Sequence, residues 1–248
     1  MPAILLKQKC MAFILNIETA TEVCSVNLTR DGEILVEKES SDGLNHSRLL
    51  TVFIGEIFRE NNFNPELLDA VAVSKGPGSY TGLRIGVSVA KGLCYALGIP
   101  LIGVGTLDAL GKYTADHKNK FVPDSTDADN ALFCPMIDAR RMEVYTALFN
   151  AKGEKIEPVS ARIIGENSFS EYLTRHPVLF FGNGAAKCKA ALTHPNALFS
   201  GPLKASARFM IKLADEKYNN NKFEDVAYFE PFYLKNFIAT VPKNKIIE

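Results

Sequence analysis

The amino-acid sequence predicts an α/β protein of two related lobes, each a mixed β-sheet with flanking helices. Three observations carry this reading. Short apolar runs of strand length alternate with segments whose apolar residues recur at helical spacing. Each half opens on a three-strand meander joined by short polar turns, as antiparallel sheets do. The second meander also echoes the first. Ile17-Glu18 matches Ile137-Asp138, "EVCSVNL" (22–28) matches "EVYTALF" (143–149), and Asp31-Gly32-Glu33 matches Lys152-Gly153-Glu154. The offset changes by one residue, so the echo is divergent, but it places an acid-bearing turn once in each half.

The elements follow in order. "MAFILNIETATEVCSVNLTRDGEILVEKES" reads as three strands with turns at 18–22 and at Asp31-Gly32. Leu49, Leu50, Phe53, Ile54, Ile57 and Phe58 give a helix over 44–60, apolar on two sides and so expected to be covered on two sides. Asn64-Pro65-Glu66 supplies a cap and a first-turn proline for a short helix. "DAVAVSKG" is a buried strand. "GPGSYTG" is a loop into a long helix that Gly98 and Pro100 stop. "PLIGVG" is a strand, and Thr106 is placed to cap the helix "LDALGKYT". The polar, aperiodic "DHKNKFVPDSTDADN" marks the boundary between a lobe of 1–112 and one of 113–248. In the second lobe Ser168 and Glu171 form a capping box. "HPVLFFGNGAAKCKAAL" reads as strand, Gly-rich turn and helix, and "KASARFMIKLADEKYN" as a helix with Phe209, Met210, Leu213 and Ala214 inward. The last helix and the aromatic tail "VAYFEPFYLKNF" are expected to pack back across the lobes. A duplicated lobe of this order implies the ribonuclease-H-like, actin-like ATPase (ASKHA) arrangement, which carries no function by itself.

Composition narrows the function classes. Lys+Arg and Asp+Glu are both 28, so the net charge is zero. Proteins that bind RNA alone usually carry a basic excess, so a role on RNA would run through a partner. Five cysteines, an odd number without a CxxC pair, fit reduced structural thiols in a cytoplasmic protein. No apolar run approaches the roughly 18 residues of a spanning helix, which argues against a membrane role. Lys7 and Lys9 interrupt the apolar start, no signal-peptide core follows, and Met11 is a second candidate start.

Several positions could carry chemistry, and each has a plainer reading. Glu18, Thr19 and Thr21 on the first turn could face a metal-bound nucleotide, with Asp138 as the matching acid of the second half. The plainer reading is a turn whose polar groups bond their own backbone. Gly76-Pro77-Gly78-Ser79 leads from strand to helix, where free amides bind anions. Its spacing fits neither GxxxxGK[ST] nor GxGxxG, and Ser79 or Thr81 reads more simply as an N-cap. Gly182-Asn183-Gly184 could cover a phosphate or adenosine, or only tolerate a left-handed turn. His46, His117, His176 and His194 include no pair four apart, so no histidine metal site is expected. The helix after the loop lays Gly82, Gly86 and Ala90 on one face. Helix glycine costs about 0.5–1 kcal/mol against alanine, so close packing of another backbone is expected there. That backbone could belong to this chain or to a partner.

Taken together, "ILNIETATEVCSVNL", "NHSRLL", "SKGPGSYTGLRIGVSVAKGLCYALGIPLIGV", "IDARRMEVYTALF", "FFGNGA" and "EPFYLK" resemble the TsaB (YeaZ) family over nearly the whole chain from Met11. The resemblance implies an actin-like fold without its usual catalysis. It implies a subunit that partners TsaD and, with TsaE, serves the synthesis of threonylcarbamoyladenosine next to the anticodon of tRNA. The threonylcarbamoyl donor then comes from a separate enzyme, and tRNA is met only through the complex. TsaD-type chains carry two metal-ligating histidines four apart after the "IPLIGV" strand. Here Thr106 and Leu110 stand at that spacing, so no metal and no catalytic residue is expected in this chain. The resemblance further implies pairing with TsaD through N-terminal helices, and a homodimer through the same surface when alone. That gives His46, Leu49, Leu50, Phe53, Ile57, Tyr80, Gly82, Leu83, Gly86 and Ala90 as the expected partner-binding set. No cofactor is expected to bind tightly, with ATP or ADP only at or near the TsaD interface. Glu18, Thr19, Thr21, Gly78, Asp138, Gly182 and Gly184 are the residues that could face it. Two competing readings are an actin-like ATPase or small-molecule kinase, and a peptidase of the related glycoprotease class.

Overall fold

The computed structural model describes residues 12–42, 45–201 and 203–235. The candidate start at Met11, Cys10, the helix start at Leu44 and the end of the tail lie outside the described residues.

The first strand sets the layout. β1 (Phe13–Glu18) is buried along its whole length. Its residues alternate between two faces, so both faces of the sheet must be covered. β1 pairs antiparallel with β2 (Cys24–Arg30), which pairs antiparallel with β3 (Glu33–Ser40). On its other side it runs parallel to β4 (Ala70–Gly76), and β4 to β5 (Leu101–Gly105), giving the order β3-β2-β1-β4-β5. The second sheet repeats this plan. β6 (Leu132–Asp138) is its central strand, β7 (Glu143–Phe149) and β8 (Lys155–Ile163) complete the meander, and β9 (Val178–Phe181) and β10 (Ala197–Phe199) run parallel. Its order, β10-β9-β6-β7-β8, is the first sheet's order reversed. The same topology twice is the duplicated ribonuclease-H-like arrangement.

Helices fill three layers. α1 (His46–Glu60) and α2 (Tyr80–Leu97) cover the outer face of the first sheet, where Leu15 and Ile17 meet Leu50, Ile57, Val87 and Ala90. α3 (Thr106–Asp116), followed by the single turn α4 (Lys118–Phe121), lies with α6 (Ile211–Asn219) in the middle layer. There one apolar cluster takes Ile14 and Ile102 from the first sheet, Leu107 and Leu110 from α3, and Phe133, Phe149 and Phe181 from the second. The boundary expected at 112/113 therefore falls inside α3, within a core common to both sheets. The outer face of the second sheet packs on α5 (Ser170–Leu173) and neighbouring turns through Phe180, Phe169, Leu173 and Leu192.

Local signals explain most boundaries. The Ser79 hydroxyl accepts from the Gly82 amide at 3.3 Å as the N-cap of α2, and Gly98 ends that helix at φ 67°. Asn64 accepts from the Glu66 amide at 3.0 Å and starts a 3-10 turn over Pro65–Leu67. Four expectations need correction. The helix read over 204–219 starts only at Ile211, after a 3-10 turn at Ala207–Phe209. Thr106 is the first residue of α3 and not its cap, which is Gly105. The capping box of Ser168 and Glu171 does not form. Phe169 turns left-handed at φ 62° to bury its ring, and the Ser168 hydroxyl accepts from the Gly165 amide at 3.0 Å instead. After the Gly182-Asn183-Gly184 turn there is only a 3-10 turn, Ala186–Cys188, in place of a helix.

The tail folds back as expected. Glu224 bridges to Leu101 on β5, Lys91 donates to the carbonyls of Ala227 and Phe229, and the Phe232 amide donates to Lys75 O at 2.7 Å.

The small face of α2 turns inward. A Cβ on Gly82 would sit 2.1 Å from the Thr19 carbonyl, and one on Gly86 would sit 2.2 Å from the Thr19 hydroxyl. Ala90 is fully buried. The backbone that approaches this face is the chain's own first turn. Replacing Gly86 with arginine would thus damage the fold before it reached any partner. Even Gly86→Ala overpacks a buried contact and is expected to cost about 1–3 kcal/mol. A fall of several degrees in the thermal midpoint checks this, and an unchanged midpoint refutes the close approach.

Candidate functional site

Three turns meet where β1 and β6 end. The first, 18–22, follows β1, the second, 139–142, follows β6, and the third, 182–184, follows β9. Glu18, Thr19, Thr21, Asp138, Gly182 and Gly184 stand on or beside these turns, and the bonds of Asn183 to Glu22 and to the Asp138 amide join the two halves there. Gly78 joins them from the start of α2, where a Cβ would stand 2.2 Å from the Ala20 carbonyl.

The first turn is closed on itself. The Glu18 carboxyl is buried and accepts from the Ala20 amide at 2.6 Å. The Thr19 amide donates to the Ser74 hydroxyl at 3.3 Å, and the Thr19 hydroxyl donates to Gly82 O at 2.9 Å. The Ser79 amide donates to Ala20 O at 2.6 Å. His46 Nε2 lies 2.8 Å from Thr21 O, which fixes the start of α1 to the same turn. These bonds match the plainer reading of the turn, in which its polar groups serve the backbone. Burial pushes the Glu18 carboxyl up to about 7, against the opposing hydrogen bonds from Ala20, Ser74 and Thr19.

The second acid has a different setting. Asp138 is exposed. Its carboxylate accepts from the Arg140 amide at 2.8 Å and pairs with Lys187. Arg140 and Arg141 take left-handed backbone at φ 70° and 53° and form the turn. The Gly182-Asn183-Gly184 turn lies tight on β6, since a Cβ on Gly182 would sit 2.4 Å from Met136 O. Its Asn183 latches the two halves. The side-chain oxygen accepts from the Asp138 amide at 3.0 Å, and the side-chain amide donates to Glu22 at 2.8 Å. The sequence offered this turn as a phosphate or adenosine cover or as a left-handed turn and not as a latch, because nothing local records a bond to a residue 161 positions away.

The partner-binding set divides by burial. His46, Leu50, Ile57, Gly82, Leu83, Gly86 and Ala90 are interior. Leu49, Phe53 and Tyr80 are half-buried, and Val52 between the first two is exposed. Ile85 and Val89 on α2 are likewise half-buried beside α1. The outward face of the α1–α2 layer is therefore Leu49, Val52, Phe53, Ile85 and Val89. Thr106 and Leu110 are both buried in the middle layer. Among the described residues, no group of three or more His, Cys, Asp and Glu is placed to hold a metal ion, and no helix is long and apolar enough to cross a membrane.

Fold and site together define a two-lobed, actin-like α/β protein whose first turn packs closely against its own α2. Comparison with known proteins narrows this. The family model for TsaD, tRNA N6-adenosine threonylcarbamoyltransferase, matches residues 40–241. A TsaB protein of Escherichia coli is 31% identical over 91% of this chain and 96% of its own length, and one of Haemophilus influenzae is 26% identical over 91% and 94%. A crystal structure from Pseudomonas aeruginosa, described as similar to peptidase YeaZ, superposes with a TM-score of 0.76 at 22% identity, covering 91% of this chain and all of that one. The chain belongs to the TsaB family, within the wider TsaD-type domain family.

Glu18 makes stability depend on pH in a definite direction. Its folded pKa, about 7, lies above the ordinary 4.5, so the folded state holds the proton more tightly. Stability is then highest below pH 4.5 for this group and falls as pH rises toward 7. The span corresponds to about 3 kcal/mol. Glu18→Gln should flatten this slope, gaining stability relative to wild type at pH 8 compared with pH 5. Parallel melting curves for the two proteins across that range would show the carboxyl is not the source.

Proposed function

We propose that this chain is a non-catalytic subunit of the machinery that makes threonylcarbamoyladenosine in tRNA. In this reading it binds and activates TsaD, and works with TsaE. Support comes first from the Escherichia coli relative, a tRNA threonylcarbamoyladenosine biosynthesis protein matched along almost its whole length. The residues agree with a non-catalytic part. Thr106 and Leu110 stand where imidazole ligands would be needed, and neither side chain can replace them. The docking face in this reading is the outward side of α1 and α2, centred on Leu49, Val52 and Phe53. A second copy would occupy the same face when TsaD is absent. ATP or ADP, if used, binds at or near that junction, and tRNA is reached only through the assembled complex.

The test is reconstitution. The chain is mixed with TsaD, TsaE, tRNA and the threonylcarbamoyl donor, and modified adenosine is measured alongside the mass of the complex. Val52→Arg places a charge on the exposed face of α1 and should leave the thermal midpoint within a few degrees of wild type. It should weaken the TsaD complex at least tenfold and reduce modification in step. Full modification with a folded Val52→Arg and a folded Phe53→Arg would sink this reading. An ATPase would instead be indicated by saturable ATP and magnesium binding to the isolated chain, read by calorimetry.

A further inference from the structure

Away from the three turns, two cavities meet where β5 of the first sheet faces β8 of the second. The smaller, about 240 Å³, lies between the ends of β4 and β5, the start of α3 and the β7–β8 turn. The larger, about 760 Å³, adjoins it under the tail and shares Lys75, Gly105, Asp108 and Lys155 with it.

Four lysines line the smaller cavity: Lys75, Lys112, Lys155 and Lys217. They come from β4, α3, β8 and α6, so the fold and not a local charge run gathers them. Three have carboxylate partners. Lys155 pairs with Asp108 at 2.6 Å, Lys112 with Asp116 at 2.8 Å, and Lys75 with Glu224 at a loose 3.7 Å. Asp116 is shared with Lys212 at 2.7 Å. Four ammonium groups thus line the smaller cavity with Asp108 as the carboxylate among its lining residues, while Asp116 and Glu224 pair with Lys112 and Lys75 from outside that lining. Lys217 is the odd member. It is half-buried and donates to the Gly103 carbonyl. Burial, then the nearby Lys75, pulls its pKa below the ordinary lysine value, against a weaker opposing pull from Glu224 and Asp108.

Like charges gathered around one cavity repel unless something offsets them, and among the ion pairs of the described residues Lys217 has no carboxylate of its own. We propose that the smaller cavity is a phosphate seat, with Lys217 as its principal contact and Lys75, Lys112 and Lys155 as its walls. Ammonium groups bind phosphate as point charges, and several converging donors make such contacts strong. At about 30 Å³ per water, the space equals some eight waters, room enough for a phosphate or pyrophosphate group. The body of a phosphate-bearing molecule would extend into the larger cavity, along Leu107, Pro158, Val159 and Phe229. The phosphate could belong to a small molecule or to an RNA backbone, and both present the same chemistry to the four lysines.

Calorimetric titration of the full chain with inorganic pyrophosphate at low salt tests the seat. One saturable site is expected at millimolar ligand or below. Lys217→Ala should weaken it at least tenfold, Lys217→Arg should retain most of the affinity, and the exposed, distant Lys189→Ala should leave it unchanged. Lys75→Ala serves as a second loss variant if Lys217→Ala melts early. A labelled RNA stem-loop separates the sources. RNA displaced by pyrophosphate and weakened by the same substitutions identifies a backbone phosphate, and RNA that does not compete identifies a small molecule. No saturable pyrophosphate binding, or binding indifferent to both Lys217→Ala and Lys75→Ala, overturns the proposal.

Discussion

The structure depends on how closely α2 approaches Thr19. Two glycines one turn apart let the helix come within bonding distance of the first turn, whose hydroxyl and carbonyl fill the space that side chains would take. That contact closes the turn, fixes where α2 starts, and carries α1 with it through His46 and Thr21. The polar groups of this turn thereby position two helices, and the turn acts as a joint between elements.

The fold was readable in the sequence because its signals are local. Alternation, turn glycines and helical spacing placed nearly every strand, and the echo of one meander in the other identified two sheets of equal plan. The errors have a common cause. Ser168 and Glu171 have the spacing of a capping box, yet burying Phe169 outweighs the cap. Gly82 and Gly86 announced a close contact correctly, but spacing along one helix cannot say whose backbone makes it. Spacing likewise does not separate the rows of α1, and only the packed structure divides Leu50 and Ile57 on its inner row from Leu49 and Phe53 on its outer one.

The candidate site shows the limit more sharply. Glu18 and Asp138 are equivalent by position in the two meanders, but their surroundings oppose each other. One is buried against its own backbone amides with a raised pKa, and the other is exposed and paired with Lys187. Equal place in a duplicated fold does not confer equal chemistry. Asn183 and the four lysines were less legible still, since their meaning lies in partners from distant parts of the chain.

The tail carries a further consequence. Strand edges invite pairing with other chains, and the two sheets have four among the described residues. β3 is studded with Glu33, Glu37, Lys38 and Glu39, β8 contains Pro158, and β10 is only three residues long. The most apolar, β5, is the one that Glu224 and the returning tail cover. Strand addition and the aggregation that follows from it are thus discouraged at every border of both sheets. Among the described residues, the α1–α2 layer also exposes apolar side chains, Val52 and Tyr95, whose backbone bonds are already made within the helices, so a contact there cannot template a growing sheet.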